Sequence, residues 1–191
     1  MTEYLKIGLF GDAYVGKTAI AKNFTQGDMD YECRFSSGEY LSKMISVTGQ
    51  NIDIDIVDES KTIREWRDMR YRFYAASDAF IFVYSVIDRA SFETIEELYN
   101  EICAATGSDH IYAIIAGNKC DLRNEDSVPF ERAQELANKL NCKVLETSAL
   151  TSFNIDELFK TLAADVFPLK PQESNSHQAD RNNGDGCCLI L

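Results

Sequence analysis

The sequence is poor in basic residues and contains no long hydrophobic segment. Its 191 residues include 19 lysines and arginines against 31 aspartates and glutamates, a formal charge of −12 at pH 7. A surface this acidic repels phosphate backbones, so we expect no general nucleic-acid binding. No apolar run approaches the roughly 18 residues that a membrane-spanning helix requires, so we expect no transmembrane segment.

The first residues and the cysteines bear on the cellular compartment. The start of the chain, from Met1 to Lys6, lacks the positive charge and long apolar core of a signal peptide. The six cysteines are therefore expected to be reduced thiols, and their spacing is not that of a zinc site. With 45% hydrophobic and 26% charged residues, the chain has the composition of a folded globular protein. We predict a soluble intracellular domain.

The composition changes at Pro168. Residues 168–191 contain no aromatic side chain and are dominated by Asn, Ser, Gln, Asp and Gly. Such a segment cannot bury enough apolar surface to offset the entropy of ordering it, so we predict a disordered tail. The predicted domain covers residues 1–167 and the predicted tail covers residues 168–191.

Before the tail, short apolar runs alternate with segments in which apolar residues recur every three or four positions. The runs predict strands and the periodic segments predict helices. The predicted strands cover residues 4–10, 43–47, 52–57, 79–86, 111–116 and 143–145, and the predicted helices cover residues 17–23, 64–76, 92–105, 129–140 and 154–167. This alternation predicts a mostly parallel, doubly wound α/β sheet whose ligands bind at the carboxyl ends of the strands.

Local patterns make more specific predictions. Residues 52–57 alternate isoleucine with aspartate, which is typical of an edge strand, whereas residues 79–86 are almost continuously apolar, as in a central strand covered on both faces. Residues 48–51 read as a hairpin turn. Asn154 followed by Glu157 resembles a helix capping arrangement.

The first predicted strand runs directly into a glycine-containing loop. Its sequence is Gly11-Asp12-Ala13-Tyr14-Val15-Gly16-Lys17-Thr18, which matches the phosphate-binding pattern G-x-x-x-x-G-K-[ST]. Glycines suit such a loop because its backbone N–H groups must wrap phosphates closely, and the following helix directs its positive end at them. We expect residues 13–18 to bind phosphates, Lys17 to reach the β- and γ-phosphates, and the Thr18 hydroxyl to ligate Mg²⁺.

Two further motifs follow later strands. Asn118-Lys119-Cys120-Asp121 comes after an apolar strand ending at Gly117, and Glu146-Thr147-Ser148-Ala149 comes after the last predicted strand. Each motif is weak alone. Together with the phosphate loop, in this order and spacing, they resemble the small GTPases of the Ras superfamily over residues 3–167. The resemblance implies a P-loop G domain, with a six-stranded, mostly parallel sheet and helices on both faces, that binds GTP or GDP with Mg²⁺.

The resemblance also implies how the base is recognised. The Asp121 carboxylate accepts hydrogen bonds from guanine N1 and N2, and the backbone of Ser148 and Ala149 donates to guanine O6. Adenine would present an amino group to that donor, so guanine is selected. The residues assigned to the base on this resemblance are Met29, Asn118, Lys119, Asp121, Ser148 and Ala149.

The metal ligands implied by the resemblance include one departure. Thr18, Ser36 and Asp58 are the assigned ligands, with Asp58 acting through a water. Ser36 stands where the family carries a threonine that senses the γ-phosphate, and a serine lacks the methyl group that stiffens that side chain. Ser37 could serve instead.

The motif that positions the attacking water departs further. The family carries D-x-x-G followed by glutamine, whereas this chain has Lys61 at the glycine position and Thr62 at the glutamine position. Thr62 and Lys61 are therefore the candidate catalytic residues, and we expect slow intrinsic hydrolysis. A shifted alignment, with Glu59 or Glu65 in that role, stays open.

Within the superfamily, Gly11-Asp12 and the run Asn23-Phe24-Thr25 resemble Rab or Rho members. The helical insertion of Rho proteins is missing after Leu122, and Gly38 stands where Rab proteins carry a glycine. A Rab-like protein is therefore favoured, with an atypical Ras-like signalling protein as the alternative. The first functional hypothesis is a prenylated switch that hydrolyses GTP and acts in vesicle trafficking or signalling. A second is a module that holds its nucleotide and signals by occupancy. An ATP-dependent kinase or ATPase is disfavoured by Asn118 and Asp121. The implied partners are an exchange factor, a GTPase-activating protein and effectors that bind the switch regions.

The last residues, Cys188-Leu189-Ile190-Leu191, match the prenylation motif C-a-a-X, and Cys187 makes a cysteine pair. A single lipid anchors a protein only marginally without a second lipid or a polybasic patch. The tail carries two basic against three acidic residues, so we expect lipid on both Cys187 and Cys188. The expected location is the cytoplasmic face of intracellular membranes or of the plasma membrane, with a soluble cytosolic pool.

Overall fold

A computed structural model describes residues 2–27, 41–58 and 67–168, with only the backbone described at residues 67–70. Six strands and six helices are formed within these ranges, together with a short 3₁₀ turn at Cys120–Leu122. The strands are β1 (Thr2–Gly11), β2 (Leu41–Val47), β3 (Gln50–Asp58), β4 (Ala79–Ser85), β5 (Ala113–Asn118) and β6 (Lys143–Glu146). The helices are α1 (Lys17–Gln26), α2 (Arg67–Ala75), α3 (Arg89–Glu93), α4 (Ile95–Thr106), α5 (Phe130–Lys139) and α6 (Ile155–Val166).

The six strands form one sheet in the order β2-β3-β1-β4-β5-β6. Only β2 and β3 pair antiparallel, and the other four pairings are parallel. The prediction of a six-stranded, mostly parallel sheet is confirmed. Because β1, β4, β5 and β6 run in the same direction, the segments that follow them leave the sheet at one edge.

Hydrophobic burial explains where the strands lie. Every residue of β4 is buried, and this strand lies between β1 and β5, which confirms the central position predicted for it. The edge position predicted for residues 52–57 is wrong, because β3 lies between β2 and β1. Its isoleucines are buried while Asp53 and Asp55 are half-buried, so the alternation reports one well-covered face rather than an unpaired edge.

Two clusters of buried apolar residues hold helices against opposite faces of the sheet. On one face, residues of β1, β2 and β3 pack with α1 and α6, and the rings of Phe24 and Phe159 stack at a centroid distance of 3.8 Å. On the other face, aromatic residues of β1 and β4 pack with residues of α2, α4 and α5. Helices therefore cover both faces, as the resemblance implies. None of the described helices is long and apolar enough to cross a bilayer.

The turn between β2 and β3 is shorter than the segment predicted for it. Val47 pairs with Gln50, so Thr48 and Gly49 form a two-residue hairpin loop with φ values of +54° and +79°. Positive φ at both loop positions matches the twist of the two flanking strands. The predicted hairpin is confirmed at this position.

Two predicted helix details are wrong. The helix predicted over residues 92–105 is divided at Thr94 into α3 and α4, with the Asp88 carboxylate capping α3 by accepting from the N–H groups of Ala90 and Ser91. Asn154 precedes α6 at φ +57° without capping it. Its amide instead donates to the carbonyl of Glu146 at 2.9 Å, so a tertiary bond overrides the local capping preference. Apart from Pro168, the predicted tail lies outside the described residues.

Gly11 is the point where β1 comes closest to its neighbour. Its φ is +146°, and a Cβ atom there would lie 2.0 Å from the carbonyl oxygen of Val83 on β4. We predict that Gly11→Ala lowers the free energy of unfolding by at least about 3 kcal/mol, because it combines backbone strain with a clash between main chains. Urea unfolding measures this loss.

Gly107 provides the matched control. It also has a positive φ, +66°, but a Cβ atom there would meet nothing within 4 Å. Gly107→Ala should therefore cost only the about 1–2 kcal/mol of a left-handed residue. Equal losses for the two variants would show that the contact with Val83 does not matter.

Candidate functional site

The loop between β1 and α1 has the backbone geometry of an anion-binding site. Gly16 has φ +104° and Tyr14 has φ +65°, conformations that turn consecutive N–H groups towards one side. α1 begins at Lys17 and has no acidic residue in its first turn, so the positive end of the helix is not neutralised from within it. Both features favour a bound phosphate at the loop.

Lys17 lies across this loop. Its ammonium group donates to the carbonyl oxygens of Gly11 at 2.9 Å and Asp12 at 2.8 Å. These bonds hold a positive charge close to the N–H groups of the loop. The position agrees with the phosphate-contacting role expected for Lys17.

Asn118 joins the three motifs at the carboxyl ends of the strands. The side-chain amide, in a residue only 2% exposed, donates to the carbonyl of Val15 in the phosphate loop at 2.8 Å. Its oxygen accepts the N–H of Ala149 at 3.2 Å and the hydroxyl of Thr147 at 3.4 Å. Motifs about 100 residues apart in the chain thus meet at one side chain.

The rest of the Asn118–Asp121 motif extends this contact. Lys119 has φ +63° and donates from its ammonium group to the carbonyl of Tyr14 at 2.6 Å. The N–H of Cys120 donates to the carbonyl of Thr147 at 3.1 Å. Asp121 is exposed in the 3₁₀ turn, where its carboxylate is accessible to a ligand.

The segment after β6, residues 147–154, contains Ser148 and Ala149, which the resemblance assigns to guanine, and is called the guanine loop below. Both backbone N–H groups that are expected to donate to guanine form hydrogen bonds within the protein. The N–H of Ser148 donates to the carbonyl of Phe153 at 3.1 Å, and the N–H of Ala149 donates to Asn118. Leu150, which stands where the family has a lysine, is 52% exposed on this loop.

Thr18 and Asp58 lie together beside the phosphate loop. The Thr18 hydroxyl donates to one carboxylate oxygen of Asp58, whereas the other oxygen is buried and has no hydrogen-bond partner in the part of the chain that the structure describes. Burial raises the pKa of this carboxyl above its usual value, while the bond from Thr18 and the charge of Lys17 lower it. A hydroxyl beside an orphaned carboxylate oxygen is the hard oxygen donor set that suits Mg²⁺.

The remaining candidates lie outside the described residues. They are Met29, Ser36, Lys61, Thr62, Cys187 and Cys188. Their roles stay predictions from the sequence.

Sequence reasoning did not assign three side chains that support the guanine loop. Arg123 forms an ion pair with Glu146 and also donates to the carbonyl of Val128 at 3.1 Å. Asn154 donates to the carbonyl of Glu146, and Asn23 of α1 donates to the carbonyl of Ala149 at 3.1 Å. The bond of Asn23 joins residues 126 positions apart, so no local pattern could have indicated it.

The chain is similar to known proteins over most of its length. Its residues 6–167 match the Ras family model. The GTP-binding protein ypt2 of Schizosaccharomyces pombe is 30% identical over 182 residues, which cover 95% of this chain and 90% of the relative.

Two further relatives carry Rab and Ras names. The Ras-related protein Rab-31 of Mus musculus is 31% identical over 172 residues, or 90% of this chain and 88% of the relative. The Ras-like protein 2 of Mucor circinelloides is 27% identical over 192 residues, covering 100% and 96%. The phosphate loop, the asparagine that joins it to two later motifs and these matches agree: the chain belongs to the Ras family of small GTPases, guanine-nucleotide switches that hydrolyse GTP to GDP and phosphate.

Proposed function

We propose that this GTPase binds its nucleotide at the three loops that Asn118 joins. The observation that carries the proposal is the set of bonds from this one amide to Val15, Ala149 and Thr147. These contacts place the phosphate loop and the guanine loop at fixed positions relative to each other. A nucleotide can contact both loops at once, with its phosphates on the phosphate loop and its base on the guanine loop.

The base is selected by groups on two of these loops. Asp121 is an exposed carboxylate and pairs with guanine N1 and N2, whereas the stem of Lys119 covers the base plane. Ala149 is the proposed donor to guanine O6. Its N–H donates to Asn118 at 3.2 Å, the long end of the usual N–H···O range, and would be shared between the two acceptors when guanine is bound. Ser148 and Met29 complete the set on the strength of the family resemblance.

The phosphates are held by residues 13–18, namely Ala13, Tyr14, Val15, Gly16, Lys17 and Thr18. The positive helix end and the Lys17 ammonium group support this assignment. Mg²⁺ would be held by Thr18 and Asp58, with Ser36 added from the sequence. When bound, it supplies positive charge that offsets the charge on the β- and γ-phosphate oxygens.

Hydrolysis by this member is proposed to be slow. Orienting the attacking water is the task of a side-chain amide in related GTPases, and this chain carries Thr62 at that position beside Lys61. A hydroxyl on a short side chain reaches less far than a glutamine amide. The two positions rest on the sequence alone.

In the cell, we propose a switch acting in vesicle trafficking at the cytoplasmic face of a membrane. The relatives named Rab and Ypt support this assignment, and the final cysteines Cys187 and Cys188 supply the lipid attachment sites. Exchange factors, activating proteins and effectors would meet the protein at its switch regions.

The base assignment predicts a change of specificity. Asp121→Asn should lower the affinity for GDP by at least about 100-fold and favour xanthosine diphosphate, because the amide donates to the extra carbonyl of xanthine. Competition between labelled GDP and unlabelled GDP, ADP or xanthosine diphosphate measures this. Asp126→Asn, another exposed carboxylate in the following loop, should leave the order unchanged. A parent protein that binds ADP as tightly as GDP would contradict the assignment.

The metal assignment predicts that Thr18 links nucleotide retention to Mg²⁺. In the parent protein, chelation of Mg²⁺ should accelerate GDP release. With Mg²⁺ present, Thr18→Val should release GDP at least about tenfold faster than the parent. Chelation should change the release rate of this variant little. Release of a fluorescent GDP analogue gives both rates. Thr25→Val is the control, since within the described part of the chain that hydroxyl bonds to carbonyls of its own helix. Identical chelator responses in Thr18→Val and the parent would remove Thr18 from the metal site.

The substitutions at Lys61 and Thr62 predict that restoring the family residues accelerates GTP hydrolysis. The parent should hydrolyse GTP at or below about 10⁻⁴ s⁻¹ without assistance, and Lys61→Gly combined with Thr62→Gln should accelerate hydrolysis by roughly tenfold or more. Single-turnover phosphate release measures the rate. The control pairs Lys61→Gly with Thr62→Ala, which provides the glycine but no amide. Equal rates in the two double variants would show that a different residue positions the water.

A further inference from the structure

Asn23 is a buried polar residue that the phosphate and base assignments do not use. It lies on α1, about one and two-thirds turns beyond Lys17, and is 5% exposed. Its amide donates two hydrogen bonds, to the carbonyl of Ala149 at 3.1 Å and to the hydroxyl oxygen of Ser152 at 2.7 Å. The helix that follows the phosphate loop is thus bonded directly to the guanine loop.

The two bonds from Asn23 hold the guanine loop, which contains residues in a strained backbone conformation. Ser152 has φ +61° and Asn154 has φ +57°, left-handed conformations that cost free energy in residues other than glycine. Such a conformation persists when surrounding contacts hold it in place. Asn23 provides two of those contacts from outside the loop.

Ala149 is held from both sides of its backbone. Asn118 accepts its N–H at 3.2 Å, and Asn23 donates to its carbonyl at 3.1 Å. The first asparagine contacts the phosphate loop and the second belongs to the helix that the loop begins. A displacement of either partner would move the backbone of Ala149, whose N–H is the proposed donor to guanine O6.

We propose that Asn23 is a positioning residue for guanine recognition, which fixes Ala149 so that its N–H meets guanine O6. This inference rests on the proposed function, because it takes Ala149 as the donor to O6. Loss of the Asn23 bond frees the peptide group between Ala149 and Leu150, so the backbone at Ala149 shifts and carries its N–H away from O6. The O6 contact then weakens while the contacts of Asp121 on the other edge of the base persist. The effect is therefore specific to one edge of guanine.

Three nucleotides separate the two edges. GDP carries O6, the N1 hydrogen and the 2-amino group. Inosine diphosphate lacks the 2-amino group, and 2-aminopurine riboside diphosphate lacks O6 together with the N1 hydrogen. Because Asp121 is unchanged in the variants, the lost N1 contact affects parent and variant equally, and a change of preference between them reports the O6 contact. In Asn23→Ala, the preference for GDP over the 2-aminopurine nucleotide should fall by about five- to tenfold, the value of one hydrogen bond. The preference for GDP over inosine diphosphate, which reports Asp121, should stay within about twofold of the parent.

Two further variants control for packing and for the second bond. Asn23→Leu keeps the number and branching of the side-chain heavy atoms without donating, so it should give the same loss of O6 discrimination while filling the site on α1. Ser152→Ala removes the other acceptor of Asn23 and leaves its bond to Ala149, so its discrimination should match that of the parent. Affinities are measured by competition against a fluorescent GDP analogue, alongside thermal unfolding of each variant.

The outcomes are distinguishable. An equal loss of affinity for all three nucleotides, or unchanged affinities for all of them, in both Asn23 variants would overturn the positioning role. A parent protein that does not distinguish GDP from the 2-aminopurine nucleotide would contradict the O6 contact itself, and with it the proposed function of Ala149.

Discussion

The hydrogen-bonded amide of Asn118 is the interaction on which the arrangement of this site depends. Buried amides are costly unless their donors and acceptors are paired, and here both ends are used across two loops. Its position demands small neighbours. A Cβ atom at Gly16 would lie 2.2 Å from the Asn118 nitrogen, and one at Gly117 would lie 2.6 Å from the Tyr84 hydroxyl oxygen. The glycines of this region therefore serve close packing as well as ligand approach.

The sheet delivers Asn118 to this position. It is the last residue of β5, and its carbonyl accepts the N–H of Val86, just beyond the fully buried β4, at 2.9 Å. The phosphate loop leaves β1, on the other side of β4, at the same edge. Apolar packing on both faces fixes the strands, and the strands then bring polar groups from distant parts of the chain together.

The sequence predicted the parts of this architecture that are encoded locally. The continuous apolar run predicted β4 as a central strand. The glycine-containing pattern that ends in Gly16 and Lys17 predicted the phosphate-binding loop. Features that depend on tertiary contacts were not predictable. The alternation in β3 could not reveal that β1 would pair along the side of β3 opposite β2. Asn154 does not cap α6, because its backbone is left-handed and its amide group donates to the Glu146 carbonyl. Asn23 had no local signal, since its partners lie more than 120 residues away.

Four carbonyl oxygens of the phosphate loop accept hydrogen bonds from side chains of the protein, and this affects the affinity for an anion. Those of Gly11 and Asp12 accept from Lys17, that of Tyr14 accepts from Lys119, and that of Val15 accepts from Asn118. These four acceptors are therefore paired within the protein. The N–H groups of the loop are already oriented to present positive partial charge before an anion binds. Binding then requires little reorganisation of backbone dipoles, and more of the attraction between phosphate and loop is retained as affinity.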